Sequence, residues 1–176
     1  MKLDIEKVVA SLQQEADKLP PVEQWQPSFT GSIDIVIDEQ MQWFHEGGVF
    51  QRQALVKLFS TILRKEGERY YLVTPAEKLA ITVIDVPFKI IAMLEQNSTL
   101  YLISNTQERI ALDADTHWQL RDYQGAKIPY VEVRDGLFAR VDRNVYYQMV
   151  ENAQQIEAND RTTYMLASGS CLFPLE

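Results

Sequence analysis

Cysteine and histidine are scarce in this chain. Its 176 residues include one cysteine and two histidines, which is a poor supply for a metal site built from these ligands. Cys171 has no partner for an intramolecular disulfide and stands in an apolar run, so we expect a buried, inert thiol. His117 closely follows Asp113 and Asp115, but we expect a solvated loop there and no metal. The composition gives no reason to expect any cofactor.

Positive charge is also in short supply. The chain has 25 acidic residues against 17 lysines and arginines, with a net charge of −8 and a pI near 4.8. A protein that binds the phosphate backbone of nucleic acids needs a basic surface, so we expect no nucleic-acid partner. A small anionic ligand is still compatible with this charge, because a few local arginines and lysines can hold it.

Long hydrophobic runs are missing as well. The longest apolar stretches are far shorter than the ~20 residues of a membrane-spanning helix. Residues 1–19 form an amphipathic pattern with several acids and do not resemble a signal peptide. We therefore expect a cytoplasmic protein with no membrane span. With 46% hydrophobic and 24% charged residues, the chain has enough apolar side chains to bury a core.

The common enzyme motifs are absent. The sequence contains no G-x-G-x-x-G, P-loop, G-x-S-x-G, H-E-x-x-H or C-x-x-C pattern. Carboxylates such as Asp34, Glu77 and Asp85 could act in catalysis, but their spacing identifies no acid–base pair. An enzyme is therefore the least favoured hypothesis.

What the chain does contain is a succession of strand and helix patterns. Apolar residues at helical spacing predict helices over residues 3–19, 52–63 and 142–156. Alternating apolar residues and turn signals predict strands at 33–37, 41–44, 69–74, 78–84, 88–95, 99–104, 109–112, 118–120, 130–134, 137–141, 161–166 and 170–173. Residues 20–32, with three prolines, are expected to form an extended linker.

The predicted elements repeat along the chain. The order strand, strand, helix, strand, strand occurs over residues 33–83 and again over 129–173, and an offset of 91 residues places Leu58 on Met149. Any two amphipathic helices can be aligned on their apolar stripes, but the shared strand order favours an internal duplication. We predict an α+β fold of two similar β-β-α-β-β units preceded by an N-terminal helix.

Residues 74–77, Thr-Pro-Ala-Glu, carry a contradictory signal. They have the form of a helix start, with Thr74 as N-cap and Glu77 as the capping-box residue, yet they stand between two alternating strand patterns. In the second repeat the same position is occupied by residues 166–169, Leu-Ala-Ser-Gly, which are typical of a plain hairpin tip. We therefore predict a hairpin tip at 74–77, in which the side chains of Thr74 and Glu77 bind backbone amides.

Cations recur at the ends of the predicted elements. Lys78 follows the tip, and four arginines stand beside turns or helix starts: Arg52, Arg134, Arg140 and Arg143. Arginine holds phosphate or carboxylate through a bidentate fork, lysine acts as a point charge, and helix N-termini add partial positive charge. Pairing with surface acids is an equally weighted alternative for each of these cations.

Several longer motifs carry a resemblance to a known family. They are Trp25-x-Pro27, Ile33-Asp34-Ile35-x-Ile37, Trp43, Arg52-x-x-Leu55-Val56-x-Leu58-Phe59, Tyr71-Leu72-Val73-Thr74-Pro75-x-Glu77-Lys78, Val83-x-Asp85-x-Pro87-Phe88 and Val133-Arg134-x-Gly136-Leu137-x-Ala139-Arg140. Through these motifs, over residues 22–150, the chain resembles a bacterial family catalogued as domain-of-unknown-function family 1285. That family usually has an Asp-Gly turn before the first tryptophan. This chain has Glu39-Gln40-Met41 there, which predicts a longer or differently shaped turn.

The resemblance implies a duplicated α+β fold whose second half is similar to pleckstrin-homology-like (PH-like) domains. We accordingly divide the chain into residues 1–84, with the N-terminal helix and the first unit, and residues 85–176, the PH-like unit. The resemblance also implies a ligand site between the two halves, with nucleotide-like molecules as candidates, and a role in bacterial signalling. The family supplies no established activity.

Besides an enzyme, two functional hypotheses remain, and we favour a non-catalytic module that binds or senses a small ligand such as a nucleotide or another phosphorylated anion. The predicted ligand-binding residues are Arg52, Thr74, Glu77, Lys78, Arg134, Arg140 and Arg143. The alternative is a PH-like module that binds another protein, for which Trp25, Trp43 and Phe88 would be anchors if their rings are exposed.

Overall fold

The computed structural model describes residues 19–158 and 161–176. The helix predicted over residues 3–19 therefore lies outside the described residues, except for Leu19. The chain divides between Pro87 and Phe88 into two compact units, which we name the N-terminal and the C-terminal unit. Over the described ranges both units are mainly β-strand, and each has one α-helix. No helix in this part of the chain is long and apolar enough to cross a membrane.

The N-terminal unit is built around one six-stranded sheet. After a 3₁₀ turn, its described elements are β1 (Phe29–Ile37), β2 (Trp43–His45), β3 (Gly48–Val49), α1 (Gln53–Thr61), β4 (Leu63–Glu66), β5 (Arg69–Val73) and β6 (Glu77–Val83). The strand order is β3-β2-β1-β6-β5-β4. The pair β1–β6 is parallel, and the other pairs are antiparallel.

The C-terminal unit has a second six-stranded sheet and a smaller one. Its described elements are β7 (Phe88–Gln96), β8 (Thr99–Ser104), β9 (Arg109–Ala111), β10 (Trp118–Tyr123), β11 (Ala126–Arg134), β12 (Leu137–Val141), α2 (Arg143–Glu151), β13 (Gln154–Ala158), β14 (Arg161–Ser168) and β15 (Cys171–Pro174). The larger sheet has the order β10-β11-β12-β7-β8-β9, and β13, β14 and β15 form the smaller one. The pair β12–β7 is parallel, and the other pairs are antiparallel.

The two six-stranded sheets have similar topologies. Each joins two antiparallel groups of three consecutive strands through one central parallel pair. This similarity fits an internal duplication. In the N-terminal unit the helix lies in sequence between the two groups of strands, whereas in the C-terminal unit both groups precede α2 and the strands after α2 form their own sheet. The predicted β-β-α-β-β pattern is therefore not confirmed as the repeating unit.

Burial along the two helices does not follow the predicted offset of 91 residues. That offset places Phe59, which is fully buried, on the exposed Val150, and the half-buried Leu58 on the buried Met149. Apolar stripes continue along a helix in steps of three or four residues, so two stripes can be aligned in more than one phase. The alignment of the apolar residues alone could not choose between these phases.

The helix predicted over residues 142–156 is too long. α2 ends at Glu151, and residues 154–156, the end of the predicted helix, belong to strand β13. The start of α2 is as predicted, because the Asp142 carboxylate accepts a hydrogen bond from the backbone N–H of Asn144 at 3.0 Å. Gln154 and Ile156 pair instead with β14, and this pairing overrides the helical preference of the local sequence.

The turn between β1 and β2 is organised by one side chain. The Asp38 carboxylate accepts hydrogen bonds from the backbone N–H groups of Gln40 and Gln42, each at 2.8 Å. Met41 has a φ of 59°, which is unusual for a residue with a side chain. Its side chain is nevertheless buried, so packing offsets the strain of this backbone conformation.

Candidate functional site

A polar pocket of about 470 Å³ lies in the N-terminal unit. Its lining residues come from the chain segment before β1 and from β1, β4 and β6: Glu23, Trp25, Gln26, Pro27, Thr30, Arg64, Glu66 and Lys78. A volume of several hundred cubic ångströms suits a small-molecule ligand. Among the predicted ligand-binding residues, Lys78 is the one that lines this pocket.

Strand register brings the charged residues of the pocket together. Arg64 on β4 is the register partner of Tyr71 on β5, and Lys78 on β6 is the partner of Val73. Side chains alternate between the two faces of a strand, so Arg64, Tyr71 and Lys78 share one face of the sheet. The Lys78 ammonium accordingly lies 4.8 Å from the centre of the Tyr71 ring. This proximity follows from the registers of the two consecutive hairpins β4–β5 and β5–β6.

Residues before β1 pack on the same face of the sheet. Trp25 is half-buried and packs against a cluster formed by Val22, Tyr71 and Val73. The sequence predicted an extended linker over residues 20–32, but part of it is a 3₁₀ turn and its last residues belong to β1. The packing of Trp25 fixes this segment as one wall of the pocket.

Glu66 joins the two cations of the pocket. One carboxylate oxygen, Oε1, lies 2.5 Å from Nη2 of Arg64, and the other, Oε2, lies 2.8 Å from Nζ of Lys78. The Arg64 side chain is 10% exposed, that of Lys78 is 21% exposed and that of Glu66 is 39% exposed. The hydrogen bond from Lys78, followed by that from Arg64, lowers the pKa of Glu66 below its ordinary value, although burial acts in the opposite direction.

Arg64 is held by the backbone as well as by Glu66. Its Nη1 donates hydrogen bonds to the carbonyl oxygens of Val22, at 3.1 Å, and of Trp25, at 2.9 Å. Its Nε is buried and has no hydrogen-bond partner among the described residues. Arg64 was not among the predicted site residues, because β4 was not predicted and the residue directly follows the helix predicted over residues 52–63.

Acid should destabilise the N-terminal unit through Glu66. Because the folded state lowers the pKa of Glu66 below 4.5, the folded carboxylate stays ionised at pH values where the unfolded one binds a proton. The stabilisation is present above the unfolded pKa and is lost as the pH falls through the folded pKa. Solvent screening of this partly exposed group limits the effect to less than about 1 kcal/mol.

Urea denaturation at several pH values measures this effect. Between about pH 6 and about pH 3, the midpoint should fall less steeply for Glu66→Gln than for the wild type. Glu68→Gln removes an exposed acid from the same β4–β5 turn and should follow the wild type. Equal slopes for wild type and Glu66→Gln would show that the ion pairs of Glu66 add no stability.

The predicted hairpin tip at residues 74–77 is confirmed, since it connects β5 and β6. The Thr74 hydroxyl accepts a hydrogen bond from the backbone N–H of Glu77 at 3.0 Å, as predicted. The backbone N–H of Thr74 donates to the backbone carbonyl of Glu77 at 2.8 Å and not to its carboxylate. The predicted contact of the Thr74 side chain is therefore confirmed, and the predicted contact of the Glu77 carboxylate with the Thr74 amide is wrong. The Thr74 hydroxyl closes the turn.

Arg52 stands at the N-cap position of α1. Its side chain is exposed and makes no capping hydrogen bond, and its carbonyl accepts the backbone N–H groups of Leu55 and Val56. Arg52 and Glu77 are not among the lining residues of the pocket in the N-terminal unit.

The three arginines predicted in the C-terminal unit each contact an aromatic ring of that unit. Arg134 forms an ion pair with Glu108 and lies 5.1 Å from the centre of the Phe88 ring. Burial lowers the pKa of Arg134 to about 10, so its guanidinium is protonated at neutral pH. The other two contacts join Arg140 to Tyr123, at 3.7 Å, and Arg143 to Tyr147. The grouping of all seven predicted residues into one site stays a prediction.

A smaller pocket of about 310 Å³ lies in the C-terminal unit. It is lined by Ile110, Ala111, Asp113, Asp115, Thr116, His117, Glu132, Val133 and Arg134. The His117 ring bonds to the Glu132 carboxylate, which also accepts the backbone N–H of Gly136 at 2.6 Å. Over residues 19–158 and 161–176, no three His, Cys, Asp or Glu side chains are placed to hold a metal ion.

Two family models together match residues 20–175 of the sequence. The model described as "Domain of unknown function (DUF1285), N-terminal domain" matches residues 20–86, and "Protein of unknown function (DUF1285), C-terminal domain" matches residues 87–175. The chain belongs to the DUF1285 family. The resemblance carried by the sequence motifs is thereby confirmed.

Solved structures of two family members are similar to the chain. A DUF1285 family protein from Silicibacter pomeroyi DSS-3 is 32% identical, with a TM-score of 0.80, and the match covers 96% of this chain and 93% of that one. A second, from Shewanella baltica OS155, is 24% identical with a TM-score of 0.56. That match covers 66% of this chain and 90% of the other, and it shows a likeness of fold alone. A comparison with curated proteins finds no match.

Proposed function

We propose that the pocket of the N-terminal unit binds a small anionic ligand and that the protein is a non-catalytic binding or sensing module. One observation carries the proposal: Arg64 and Lys78 line the same pocket and share a single carboxylate, that of Glu66. Like charges are kept close together only where an anion compensates them. The three ion-paired side chains carry one net positive charge, and Glu23 of the same lining balances it. An anionic ligand would therefore be held by direct contacts with Arg64 and Lys78.

The ligand classes to test first come from the sequence. Phosphorylated anions, including nucleotides, were expected from the arginines and lysines at the element ends, and carboxylates bind the same side chains. The pocket volume of about 470 Å³ accommodates ligands of either class. Thr30 and Gln26 add hydrogen-bonding groups to the lining, which favours a polar ligand.

Replacement of Lys78 by methionine should abolish ligand-induced stabilisation. In the wild type, a ligand at ten times its dissociation constant should raise the melting temperature by about 3–6 °C. Lys78→Met removes one of the two cations, and it should change the stability of the free protein by no more than about 1 kcal/mol because Lys78 is partly exposed. The measurement is thermal unfolding with AMP, ATP, inorganic phosphate and acetate, each up to about 10 mM.

Lys57→Met is the matched control for this experiment. Lys57 lies on the exposed surface of α1 in the same unit, so its replacement removes the same charge away from the pocket. The Lys57→Met variant should keep the full rise in melting temperature. The proposal is wrong if no anion stabilises the wild type, or if Lys78→Met responds as strongly as Lys57→Met does.

Several finer features remain proposals that rest on the family resemblance. We propose that the C-terminal unit is PH-like and that the two halves repeat a β-β-α-β-β plan. We also propose that nucleotide-like ligands bind at the interface of the halves. Through these ligands the protein would take part in bacterial signal transduction in the cytoplasm. The similarity of the two six-stranded sheets supports the duplication within this set. A structure with a bound nucleotide would test the position of the ligand directly.

The alternative of a protein-binding module has less support. Its predicted aromatic anchors needed exposed rings, but Trp43 is 2% exposed and Phe88 is fully buried. Trp25 is half-buried, and it packs against the sheet of its own unit. The burial of Trp43 and Phe88 counts against this alternative, whereas the ring of Trp25 is only partly covered.

A further inference from the structure

The guanidinium group of Arg64 has one incompletely bonded edge. Its Nη1 is occupied by the carbonyl oxygens of Val22 and Trp25, and its Nη2 contacts Oε1 of Glu66. Nε, which is buried, has no hydrogen-bond partner in the described part of the chain. The N–H of Nε and one N–H of Nη2 point in parallel from the same edge of the planar group. A carboxylate can bind this edge with both of its oxygens.

Glu66 does not fill this edge, because it also serves Lys78. Its Oε1 reaches Nη2 of Arg64, while its Oε2 lies 2.8 Å from the Lys78 ammonium. A carboxylate that divides its oxygens between two cations leaves the Nε donor of Arg64 without an acceptor. Buried donors in folded proteins are nearly always bonded, so the unpaired Nε of Arg64, a residue that lines the pocket, indicates an absent partner.

We infer that the ligand carries a carboxylate, which binds Nε and Nη2 of Arg64 with both oxygens and displaces Glu66 from Arg64 towards Lys78. The inference rests on the proposed function, since it names the ligand chemistry of the same pocket. After the exchange, Arg64 faces the ligand carboxylate and Lys78 keeps Glu66, so each cation has one anion. A phosphate dianion would bring a second negative charge next to Glu66, which disfavours phosphate at this position.

The surrounding structure allows Glu66 to leave while Arg64 stays. Two backbone carbonyls hold Arg64, and its side chain is only 10% exposed. Glu66 is the last residue of β4, its side chain is 39% exposed, and it is followed by Gly67 with a φ of 59°. The competing carboxylate thus belongs to the more exposed partner, and the donor belongs to the more buried one, which is held by two backbone carbonyls. Glu66 would act as an internal competitor that sets the affinity of the ligand.

Titration of the full chain with acetate, monitored by NMR, tests this inference. The probe is acetate at neutral pH and constant ionic strength, and the signal is the ¹⁵N-labelled Nε–H group of Arg64, assigned by its loss in Arg64→Lys. Acetate should bind Glu66→Gln about tenfold more tightly than the wild type, because glutamine removes the competing charge. The indole N–H of Trp25 provides a second signal in the same pocket if Arg64→Lys does not fold.

Controls separate this inference from the proposed function. Glu68→Gln removes an acid from the same turn and should bind acetate as weakly as the wild type does. Inorganic phosphate should bind the wild type more weakly than acetate does, because Glu66 repels the second negative charge of phosphate. Equal acetate affinities of wild type and Glu66→Gln, or tighter binding of phosphate, would overturn the carboxylate assignment. A phosphate-dependent rise in melting temperature that is lost in Lys78→Met would then leave the proposed function intact. Binding of no anion by any variant would overturn both.

Discussion

Replacing Phe59 by alanine is expected to lower the free energy of unfolding by about 3–5 kcal/mol. Phe59 lies on α1 and is fully buried. Its ring stacks on Trp43 with a centroid distance of 6.4 Å and meets Phe50 edge-on at 5.8 Å. Truncation removes these contacts and leaves a cavity between two large rings, which cannot close without moving both from their positions.

Leu58→Ala is the comparison that makes the Phe59 prediction specific. Leu58 precedes Phe59 on the same helix but is only half-buried, so its truncation should cost clearly less, about 1–2 kcal/mol. Both residues belong to the helix predicted over residues 52–63, and the observed burial separates them. Urea denaturation followed by tryptophan fluorescence measures both variants, since Trp43 reports on the N-terminal unit. Equal costs for the two variants would contradict the observed packing.

Replacing Ser168 by alanine should destabilise the C-terminal unit by about 2–4 kcal/mol. Ser168 ends β14 and is buried. Its hydroxyl accepts the backbone N–H of Leu100 at 2.9 Å and donates to the carbonyl of Leu112 at 2.6 Å. Alanine has a similar volume but neither function, so a buried donor and a buried acceptor lose their partner together.

Ser170→Ala is the matched control for Ser168→Ala. Ser170 lies in the same β14–β15 turn and is exposed, so its replacement should change stability by less than about 0.5 kcal/mol. Chemical denaturation of both variants, with hydrogen exchange at the Leu100 amide, provides the measurement. Unchanged protection of that amide in Ser168→Ala would be evidence against the bridging role of the hydroxyl.

Most strands could be predicted from the sequence because their signals are local. The Asp135-Gly136 turn and the flanking apolar alternation indicated the β11–β12 hairpin, and the Gln96–Thr99 region indicated the β7–β8 hairpin. Strands β3, β4 and β13 were missed. β4 and β13 follow a helix at once, and their residues are compatible with a further helical turn, so only pairing with β5 and β14 makes them strands.

The candidate site could be predicted only in part. Lys78 was selected because it follows the 74–77 tip, and it lines the pocket of the N-terminal unit. Arg64 was not selected, although its contacts with Val22, Trp25 and Glu66 make it the centre of the pocket. No local pattern distinguishes a buried arginine from an exposed one. Its neighbours across the sheet and in the segment before β1 determine its burial.

The sequence by itself determined the family, most strands and turns, the start of α2 and the anionic character of the chain, because each depends on residues close together in the sequence. The tertiary structure decided the parallel pairs β1–β6 and β12–β7, the burial of Ser168, and the meeting of Arg64 with Lys78. These features depend on which strands become neighbours and in which register. Long-range burial of apolar side chains sets both, since a shift of one residue would move every side chain of a strand to the opposite face.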